Sequence, residues 1–528
     1  RRTNLLLDGS RFFVWSFPHL RPMLLLWDNV PTSSDTMTII QEDRQLIFFP
    51  QVGFPIPLSK PITTDYLFRS ESESFKRAFY PETIFLSLAC AGFLGVSAMM
   101  ARALFGIPIL VFFSGLLACF YLGIMIFKLL VVHKGLARPF LEVSKSDLAA
   151  LRPEDLPVYT ILIPLYQEAK VIPQIMAAMG AIDYPKEKLD IIITLEEYDK
   201  ETREAIESAN PPVHFTILIL PNVAPKTKPK ALNVAFPHAK GEFLVIYDAE
   251  IIPDADQLKK AYCAFQRHPN VACLQTRLDH YNQNQNLLTR LFNIEFNFYY
   301  DLFLPGLQQF GCPMPLSGHS THFRKSALED VGAWDPYNVA EDCDMGIALY
   351  RKGYCTEILD SQSKEEATTT ISSWMRQRSR WMKGFTQSSI VHLRHPLVFR
   401  DEIGGWKNFL AFFFTVPGTV LLNFFNLFYW VLLVGWFTTH SLFIEELFSG
   451  PIISISLIVS IGGNSLFVYM NAIASYRRKK YELVKYALLS PLYWILLAIA
   501  TVRAVVQIFT SPHQWDKTVH GTHILKKV

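Results

Sequence analysis

The 528-residue chain has little charge, and the two signs nearly cancel. Charged residues make up 18% of it, and 50 Lys and Arg stand against 47 Asp and Glu, for a formal net charge of +3. A typical soluble domain carries about 25% charged residues, and a nucleic-acid-binding protein needs a concentrated basic surface. We therefore expect neither a wholly soluble protein nor nucleic acid as a partner.

The chain also lacks closely paired cysteines. Its 7 cysteines include no CxxC spacing: Cys90, Cys119, Cys263, Cys273, Cys312, Cys343 and Cys355. This spacing argues against a structural zinc site and against a disulfide framework. We expect the soluble part to lie in a reducing compartment.

Long apolar runs are what the chain has in abundance. A lipid core about 30 Å thick needs roughly 20 apolar residues of helix. Runs of about this length cover residues 84–101, 107–132, 408–437, 452–474 and 492–509. The third run contains Pro417 and Gly418 and is long enough for an interfacial helix plus a span, or for two short spans. The sequence therefore predicts five or six membrane crossings.

Basic residues flank the stretch between the second and third apolar runs. Lys128 and Lys134 close the second run, and Arg400 and Lys407 precede the third. Because such residues prefer the cytoplasmic side, we expect a cytosolic domain between them. The expected division is residues 1–80 of unclear role, two transmembrane helices over 81–133, a cytosolic domain over 134–405, transmembrane and interfacial helices over 406–510, and a C-terminal segment over 511–528.

The cytosolic stretch begins with strand-like and helix-like segments in alternation. Strand-like runs cover residues 159–163, 190–195, 215–220 and 243–247, and a helix-like segment follows each. This alternation predicts a parallel sheet with crossover helices. In such sheets, ligands bind at the carboxyl ends of the strands.

Acidic residues follow three of these four strands. Glu168 comes after the first, Glu196 and Asp199 after the second, and Asp248 and Glu250 after the fourth. Any one group is also compatible with a helix cap or a solvated turn. Together at one sheet edge they would repel one another unless a cation or a hydrogen-bonding ligand lay between them. Asp248 and Glu250 in particular suit a hard cation such as Mg²⁺ or Mn²⁺ that bridges to substrate phosphates.

Basic and aromatic residues supply candidate partners for a phosphorylated sugar. Lys226, Lys228 and Lys230 alternate just ahead of a helix, where anions are favoured, although a solvated loop would read the same way. Downstream, Asp342 suits a general base, although the start of a helix would show the same residue pattern. Arg380 offers a fork of donors for diphosphate oxygens, and the Trp next to it suits either sugar stacking or a membrane interface.

Five motifs stand in a characteristic order. They are Glu196 with Asp199, Lys230-Ala231-Leu232-Asn233, Asp248-Ala249-Glu250, Glu341-Asp342, and the QxxRW motif of Gln377, Arg380 and Trp381. With them the chain resembles the membrane-embedded family 2 glycosyltransferases, the group of cellulose, chitin, hyaluronan and bacterial exopolysaccharide synthases. The resemblance implies an α/β domain of the GT-A type, a Rossmann-like parallel sheet, inserted between transmembrane helices.

The resemblance also implies an activity and a place. The activity is processive, inverting, metal-dependent transfer from a UDP-sugar, with UDP-glucose favoured, to a growing β-linked exopolysaccharide. The polymer would leave through the membrane helices, and the bilayer would be the bacterial inner membrane. Accessory or export proteins are not identified by the sequence.

Site roles follow from the same resemblance. Asp342 would be the base, and Asp248 and Glu250 would hold Mg²⁺ or Mn²⁺. The donor would be bound by Glu168, Glu196, Lys230, Asp248 and Arg380, and the acceptor by Gln377, Arg380, Trp381 and His322. Trp515, Lys517 and Thr518 resemble a gating segment that covers the nucleotide.

Two other functions stay open at this point. One is transfer of a single sugar to a membrane lipid, which product length after incubation with labelled donor would separate from polymerisation. The other is a non-catalytic membrane transporter or scaffold with a nucleotide-sensing domain, which donor turnover would exclude.

Overall fold

The structure, a computed structural model, describes residues 2–7, 10–15, 23–25, 69, 73–76, 81–137 and 140–517. Three short strands near the start form an antiparallel sheet of their own: β1 (Arg2–Leu7), β2 (Ser10–Trp15) and β3 (Met23–Leu25). The domain between the second and third apolar runs is built on a separate, larger sheet.

Eight strands form this larger sheet. They are β4 (Tyr159–Leu165), β5 (Leu189–Glu196), β6 (Phe215–Leu220), β7 (Phe243–Ile246), β8 (Ile252–Pro253), β9 (Val271–His280), β10 (Thr321–Arg324) and β11 (Cys355–Glu365). Their order is β6-β5-β4-β7-β10-β9-β11-β8. The first four in this order are parallel, whereas β10 runs antiparallel to both of its neighbours.

The α/β, GT-A-type fold expected for this domain is confirmed, with a mixed sheet in place of a wholly parallel one. The four strands that the sequence pattern predicts are β4 to β7, which pair in parallel with one another, whereas the parallel pair of β9 and β11 was not predicted. Strand β10 was not predicted because it has only four residues. Its antiparallel direction could not be predicted either, because a pattern of buried residues does not indicate which way a strand runs. The first four strands bring the acidic residues that follow them to one edge.

Apolar residues on both faces of the central strands hold the sheet in its layers. Ile161 and Ile163 of β4 belong to one buried cluster, and Leu162 between them belongs to the cluster on the opposite face. Side chains alternate along a strand, so each face needs its own covering of helices. These include Ile172–Gly180, Lys200–Ala209, Lys228–Ala235 and Gln257–Arg267.

Two helices of the second half carry the remaining site residues. We name them the Asp342 helix (Glu341–Arg351) and the QxxRW helix (Ile371–His392). Gly384 lets them approach closely, because a Cβ at that position would lie 2.2 Å from the Cβ of Ala340. The other helices of this half are Leu287–Phe298, Leu304–Phe310, Lys325–Asp330 and Pro396–Glu402.

Five helices in the described part of the chain are long and apolar enough to cross a membrane. They are Thr83–Phe105, Ile109–Gly135, Trp406–Thr439, Pro451–Arg477 and Tyr481–Thr510. The third is divided into Trp406–Thr415 and Pro417–Thr439, at the proline that the sequence singles out. By length and composition the number is thus five, the lower of the two expected values.

Backbone contact joins the domain to the second of these helices. A Cβ at Gly135 would lie 1.8 Å from the carbonyl oxygen of Leu302, and a Cβ at Gly306 would lie 2.0 Å from that of Val131. Only glycine permits two backbones to approach this closely. The helix Leu304–Phe310 is therefore held directly against the helix Ile109–Gly135.

Candidate active site

The carboxyl ends of the parallel strands border one cavity of about 670 Å³. Most of the side chains that the sequence selects line it. They are Glu168, Glu196, Asp248, Glu250, Asp342, Gln377, Arg380, Trp381, Trp515 and Lys517. Residues that are as much as 349 positions apart in the chain therefore share one space.

The ammonium group of Lys228 lies among the acidic side chains of the cavity. Its Nζ is 2.5 Å from Asp248 Oδ1 and 3.6 Å from Glu341 Oε1. It also donates to the carbonyl oxygen of Gly318 at 2.6 Å. Burial alone would lower the pKa of Lys228, but the carboxylates of Asp248 and Glu341 outweigh it, and the net shift is upward. Lys228 is therefore a fixed positive charge in the cavity.

Lys230, which the sequence selects for the donor, lies behind the cavity wall. It is fully buried, its Nζ is 3.2 Å from Glu196 Oε1, and it donates to the carbonyl oxygen of Val223 at 3.1 Å. The helix begins at Lys228, and two residues along a helix turn by about 200°. Lys228 and Lys230 consequently point in opposite directions: Lys228 lines the cavity, Lys230 pairs with Glu196 behind its wall, and the donor role of Lys230 stays a prediction.

Glu196 presents an acceptor to the cavity. Its Oε1 is paired with Lys230, whereas its Oε2 is buried and has no hydrogen-bond partner among the described residues. Burial raises the pKa of Glu196, although Lys230 opposes the shift. A buried acceptor without a partner is costly unless a ligand satisfies it, so this oxygen marks a place for a donor group such as a hydroxyl or an imide N–H.

Asp342 and Glu341 form a coupled acidic pair at the start of the Asp342 helix. Burial raises the pKa of Asp342 above its ordinary value. Burial and the charge of Asp342 raise the pKa of Glu341 to about 7, although Lys228 opposes the shift. Two carboxyl groups this close do not ionise independently. The pair can therefore accept a proton near neutral pH, as a general base requires.

Asp248 and Glu250 line the cavity together with Glu365, a residue that sequence reasoning missed. Burial and the charges of Glu250 and Asp248 raise the pKa of Glu365 well above its ordinary value. Two histidines flank it: His280 Nε2 is 3.2 Å from Glu365 Oε1, and His319 Nδ1 is 3.8 Å from Oε2. Glu365 ends an 11-residue strand with no alternating pattern in its sequence, so only the fold brings it here.

These carboxylates fit a hard divalent cation by their oxygen donors. In the part of the chain that the structure describes, no group of three or more His, Cys, Asp or Glu side chains is arranged to hold a metal by itself. A cation bound by Asp248 and Glu250 would consequently need further oxygen ligands, such as phosphates or water. Mg²⁺ commonly binds through one or two carboxylates plus substrate phosphates.

The QxxRW helix turns its motif toward the cavity. Gln377, Arg380 and Trp381 are three and four residues apart, so they share one helix face. In the part of the chain that the structure describes, Gln377 Oε1 and Arg380 Nε are both buried without a hydrogen-bond partner, while Arg380 Nη1 donates to the carbonyl oxygen of Val339 at 3.1 Å. These orphaned polar atoms, like Glu196 Oε2, indicate a polar ligand.

Residues 511–517 form a loop that lines the cavity, and we name it the covering loop. Trp515 packs on the guanidinium of Arg380, with the Arg380 Cζ 4.3 Å from the ring centre. Lys517 contacts the carboxylate of Glu168 and the carbonyl oxygen of Tyr166. Lys383 of the QxxRW helix holds the loop by donating a hydrogen bond to the Gln514 carbonyl oxygen at 2.7 Å. Thr518, the third residue selected for gating, lies outside the described residues.

His322, selected for the acceptor, lies in the core and not among the residues that line the cavity. Its Nδ1 is 2.7 Å from the hydroxyl of Tyr159, and its Nε2 is 3.2 Å from Gln257 Oε1. It is fully buried on β10, and its acceptor role stays a prediction. His319 and His513 do line the cavity, and burial lowers the pKa of His319 to about 4, which makes it neutral near pH 7.

The cavity continues from the domain into the helices that are long and apolar enough to cross a membrane. Polar residues of these helices line it: Thr415, Thr419, Asn423, Asn426, Asn464, Asn471 and Ser490. Amide and hydroxyl side chains are costly in a helix surrounded by lipid and usually face a polar interior. The same cavity therefore offers carboxylates at one end and amides at the other.

Comparison with known proteins agrees with this geometry. Residues 243–502, just under half of the chain, match the family model for glycosyl transferase family group 2. The matched segment includes Asp248, Asp342, Gln377, Arg380 and Trp381. Just under half of the chain is thus similar to glycosyl transferase family group 2, and its homologues include glycosyltransferases.

Two curated relatives and one solved structure illustrate the similarity. The "Probable glycosyltransferase YdaM" of Bacillus subtilis (strain 168) is 25% identical over 309 residues, which cover 56% of this chain and 74% of the relative. The "Probable glucomannan 4-beta-mannosyltransferase 2" of Oryza sativa subsp. japonica is 24% identical over 274 residues, covering 49% of this chain and about half, 47%, of that protein. A mannosyltransferase from Pyrobaculum calidifontis, solved with GDP-Man and Mn²⁺, has a TM-score of 0.49 at 17% identity, covering 76% of this chain and 99% of that one.

Proposed function

We propose that this chain, in which residues 243–502 resemble glycosyl transferase family group 2, is a glycosyltransferase that polymerises a β-linked glycan from a nucleoside diphosphate sugar and passes the product between its membrane helices. The observation that carries the proposal is the single cavity. Asp248 and Asp342 line it at one end, and Asn426 and Asn464 of two different membrane-spanning helices line it further along. An enzyme that releases a short soluble product does not need a cavity that extends between membrane helices.

The donor diphosphate would lie between Lys228 and Arg380, whose positive charges face the cavity. Departure of the nucleoside diphosphate creates new negative charge, and fixed cationic groups lower the barrier most where that charge develops. Glu196 Oε2, which has no hydrogen-bond partner, would accept a hydrogen bond from the nucleoside. A divalent cation held by Asp248 and Glu250 would supply further neutralisation of the leaving diphosphate.

Asp342 would take the proton from the acceptor hydroxyl as that oxygen attacks the sugar. One base with no protein nucleophile implies inversion, because a single displacement reverses the configuration at the reacting carbon. An α-linked donor would then give a β-linkage. Trp381 would support the acceptor end by stacking on a sugar ring, and Gln377 Oε1 would accept a hydrogen bond from a sugar hydroxyl.

UDP-glucose is the donor that the resemblance to glucan synthases favours. The similarity to a glucomannan 4-beta-mannosyltransferase supports testing GDP-mannose beside it. The bacterial inner membrane, with the catalytic domain in the cytosol, is the location that the proposal implies.

Incubation of the purified full chain in lipid nanodiscs with labelled nucleotide sugars tests the proposal. The panel is UDP-glucose, UDP-N-acetylglucosamine and GDP-mannose, each with Mg²⁺, Mn²⁺ or EDTA. We expect a long β-linked product from one donor, and loss of its synthesis in EDTA. A lipid that carries one sugar would overturn polymerisation, and no turnover of any donor would favour a nucleotide-sensing transporter or scaffold.

A further inference from the structure

A short segment just before the first membrane-spanning helix docks onto the catalytic domain. We name it the strap and define it by its described residues, 69 and 73–76. Ser74 is fully buried and donates from its hydroxyl to Asp335 Oδ1 at 2.7 Å, and the Phe75 N–H donates to Asp335 Oδ2 at 2.7 Å. Arg394 donates to the carbonyl oxygen of Ser74 at 2.9 Å. Asp335 stands in the loop that leads to Asp342.

A second contact ties the strap to the Asp342 helix itself. Arg69 Nη1 is 2.5 Å from Asp344 Oδ2, and the two side chains are only 3% and 1% exposed. The same guanidinium donates twice to the carbonyl oxygen of Ala333, at 2.9 and 2.6 Å. Asp344 is two residues beyond Asp342. The strap thus holds both ends of the stretch from Ala333 to Asp344, which carries the proposed base.

A third contact reaches the covering loop. Phe75 is fully buried against Val391 and Ile508, and its ring centre is 5.9 Å from that of His513 in the covering loop. The His513 ring also packs on Tyr337 at 5.3 Å, a residue of the stretch that leads to Asp342. The strap, the covering loop and the Asp335 region therefore meet at one point.

Gln387 links the covering loop to the residues that lead to Asp342. Its Nε2 donates to the Pro512 carbonyl oxygen at 2.9 Å, and its Oε1 accepts from the Val339 N–H at 2.8 Å. Val339 in turn accepts from Arg380. A displacement of the covering loop is consequently transmitted to the residues beside Asp342 and Arg380, and neither Arg69 nor Phe75 lines the cavity.

We infer that the strap is a positioning element for sugar transfer: it anchors the covering loop over the nucleotide through Phe75 and holds the helix of the base through Arg69. This inference rests on the proposed function of the cavity. In the chain the strap precedes the helix Pro81–Phe105. A substitution of Phe75 can test this role separately from folding, because the Phe75 ring contacts the covering loop directly.

The test compares Phe75→Ala with Phe75→Leu in the full chain in nanodiscs. The Phe75→Ala variant should raise the KM for the nucleotide sugar by roughly tenfold, because loss of the ring frees the covering loop. The Phe75→Leu variant, which keeps most of the bulk, should restore the KM. Loss of folded enzyme alone would lower the apparent kcat and leave the KM unchanged.

A matched control separates the loop contact from general loss of core packing. Phe265 is also fully buried, and it stacks on Phe243 at 4.7 Å on the far side of the sheet domain. The Phe265→Ala variant should lower the yield of folded protein and leave the donor KM unchanged. An equal rise in KM in the Phe265→Ala and Phe75→Ala variants would overturn the inference.

A protease assay makes the outcome independent of the donor. Trypsin cleavage after Lys517, followed by mass spectrometry, should be faster in Phe75→Ala than in the wild type or Phe75→Leu. Unchanged cleavage together with unchanged KM would overturn the strap inference and leave the proposed function standing. A wild type without turnover of any donor would instead count against the proposed function, and the cleavage rates would still decide the role of Phe75.

Discussion

Lys228 and Lys230 stand two residues apart on one helix, yet only Lys228 reaches the cavity. At the residue scale, helix geometry thus decides which of two identical side chains meets the proposed donor and which one holds Glu196 in place. Glu341 shows the same dependence on neighbours. Burial in the cavity and the charge of Asp342, its neighbour in the chain, raise the pKa of Glu341 to about 7.

The Asp342→Asn variant tests the proposed base. Asparagine keeps the size of the side chain but cannot take a proton, so transfer should fall by roughly 100- to 10,000-fold. Nucleotide binding, measured by equilibrium dialysis with labelled nucleoside diphosphate, should stay near the wild-type value because Lys228 and Arg380 remain. Normal transfer by this variant would remove Asp342 from the role of base.

The Glu341→Gln variant tests the coupling through the pH dependence of kcat. A base must be ionised, so the rate should rise with pH as the Asp342–Glu341 pair loses its proton. The charge of Glu341 disfavours ionisation of Asp342. Its removal should lower the pKa of Asp342 and move the rising limb of the profile to lower pH. A profile that stays in place, or moves to higher pH, would contradict the coupling.

At the element scale, close approach between helices positions the site. Gly384 of the QxxRW helix faces Ala340, the residue before the Asp342 helix. This contact keeps the QxxRW helix close to the start of the Asp342 helix. As a result, Arg380 Nη1 lies 3.1 Å from the carbonyl oxygen of Val339. The sequence indicates that a helix can begin near Asp342, but no periodicity reveals that its start touches the QxxRW helix here.

The Gly384→Ala variant tests this contact. The new Cβ would lie 2.2 Å from the Cβ of Ala340 and 2.6 Å from its backbone nitrogen, so the helices must separate. Overpacking of this kind costs about 1 to 3 kcal/mol, and we expect both a lower thermal midpoint and a lower kcat.

The Gly180→Ala variant is the matched control for this prediction. Gly180 also lies in a helix, and a Cβ there meets nothing within 4 Å. Alanine should leave activity unchanged and keep or slightly raise the free energy of unfolding, since glycine in a helix is less favourable by about 0.5 to 1 kcal/mol. Equal losses in the two variants would show that crowding at Ala340 is not the cause.

At the scale of the whole molecule, the cavity joins the sheet domain to the candidate membrane helices. Asn426 and Asn464 lie on two different helices of this group and line the same space. If a glycan moves along this space, their amides exchange hydrogen bonds with its hydroxyl groups. The path matters only after the first sugars have been added, so initiation and elongation should respond differently to changes here.

The double variant Asn426→Leu with Asn464→Leu tests the proposed path. The average product should become shorter, while the initial rate of donor turnover stays within about twofold of the wild type, because Asp342 and Arg380 are untouched. Product length is measured by gel filtration of the labelled glycan. The Phe428→Leu variant, an exposed position on one of the same helices, is the control and should leave product length unchanged.

The sequence by itself determined the local elements and their chemistry. Apolar runs of about 20 residues predict the membrane helices, since lipid tolerates few charges, and the four parallel strands follow from β-branched runs alternating with helices. Asp248, Asp342 and the QxxRW residues could be found because motifs are contiguous in the chain and the carboxyl ends of parallel strands meet at one edge.

The tertiary structure alone decided which side chains face the cavity. Lys228 lines the cavity and Lys230 does not, His319 lines it and His322 does not, and Glu365 joins the carboxylates from a strand that has no motif. The orientation of a side chain depends on the axis and packing of its element, and the contacts of the strap bridge more than 250 residues. Such long-range pairings leave no local pattern, because each depends on residues brought together only when the chain folds.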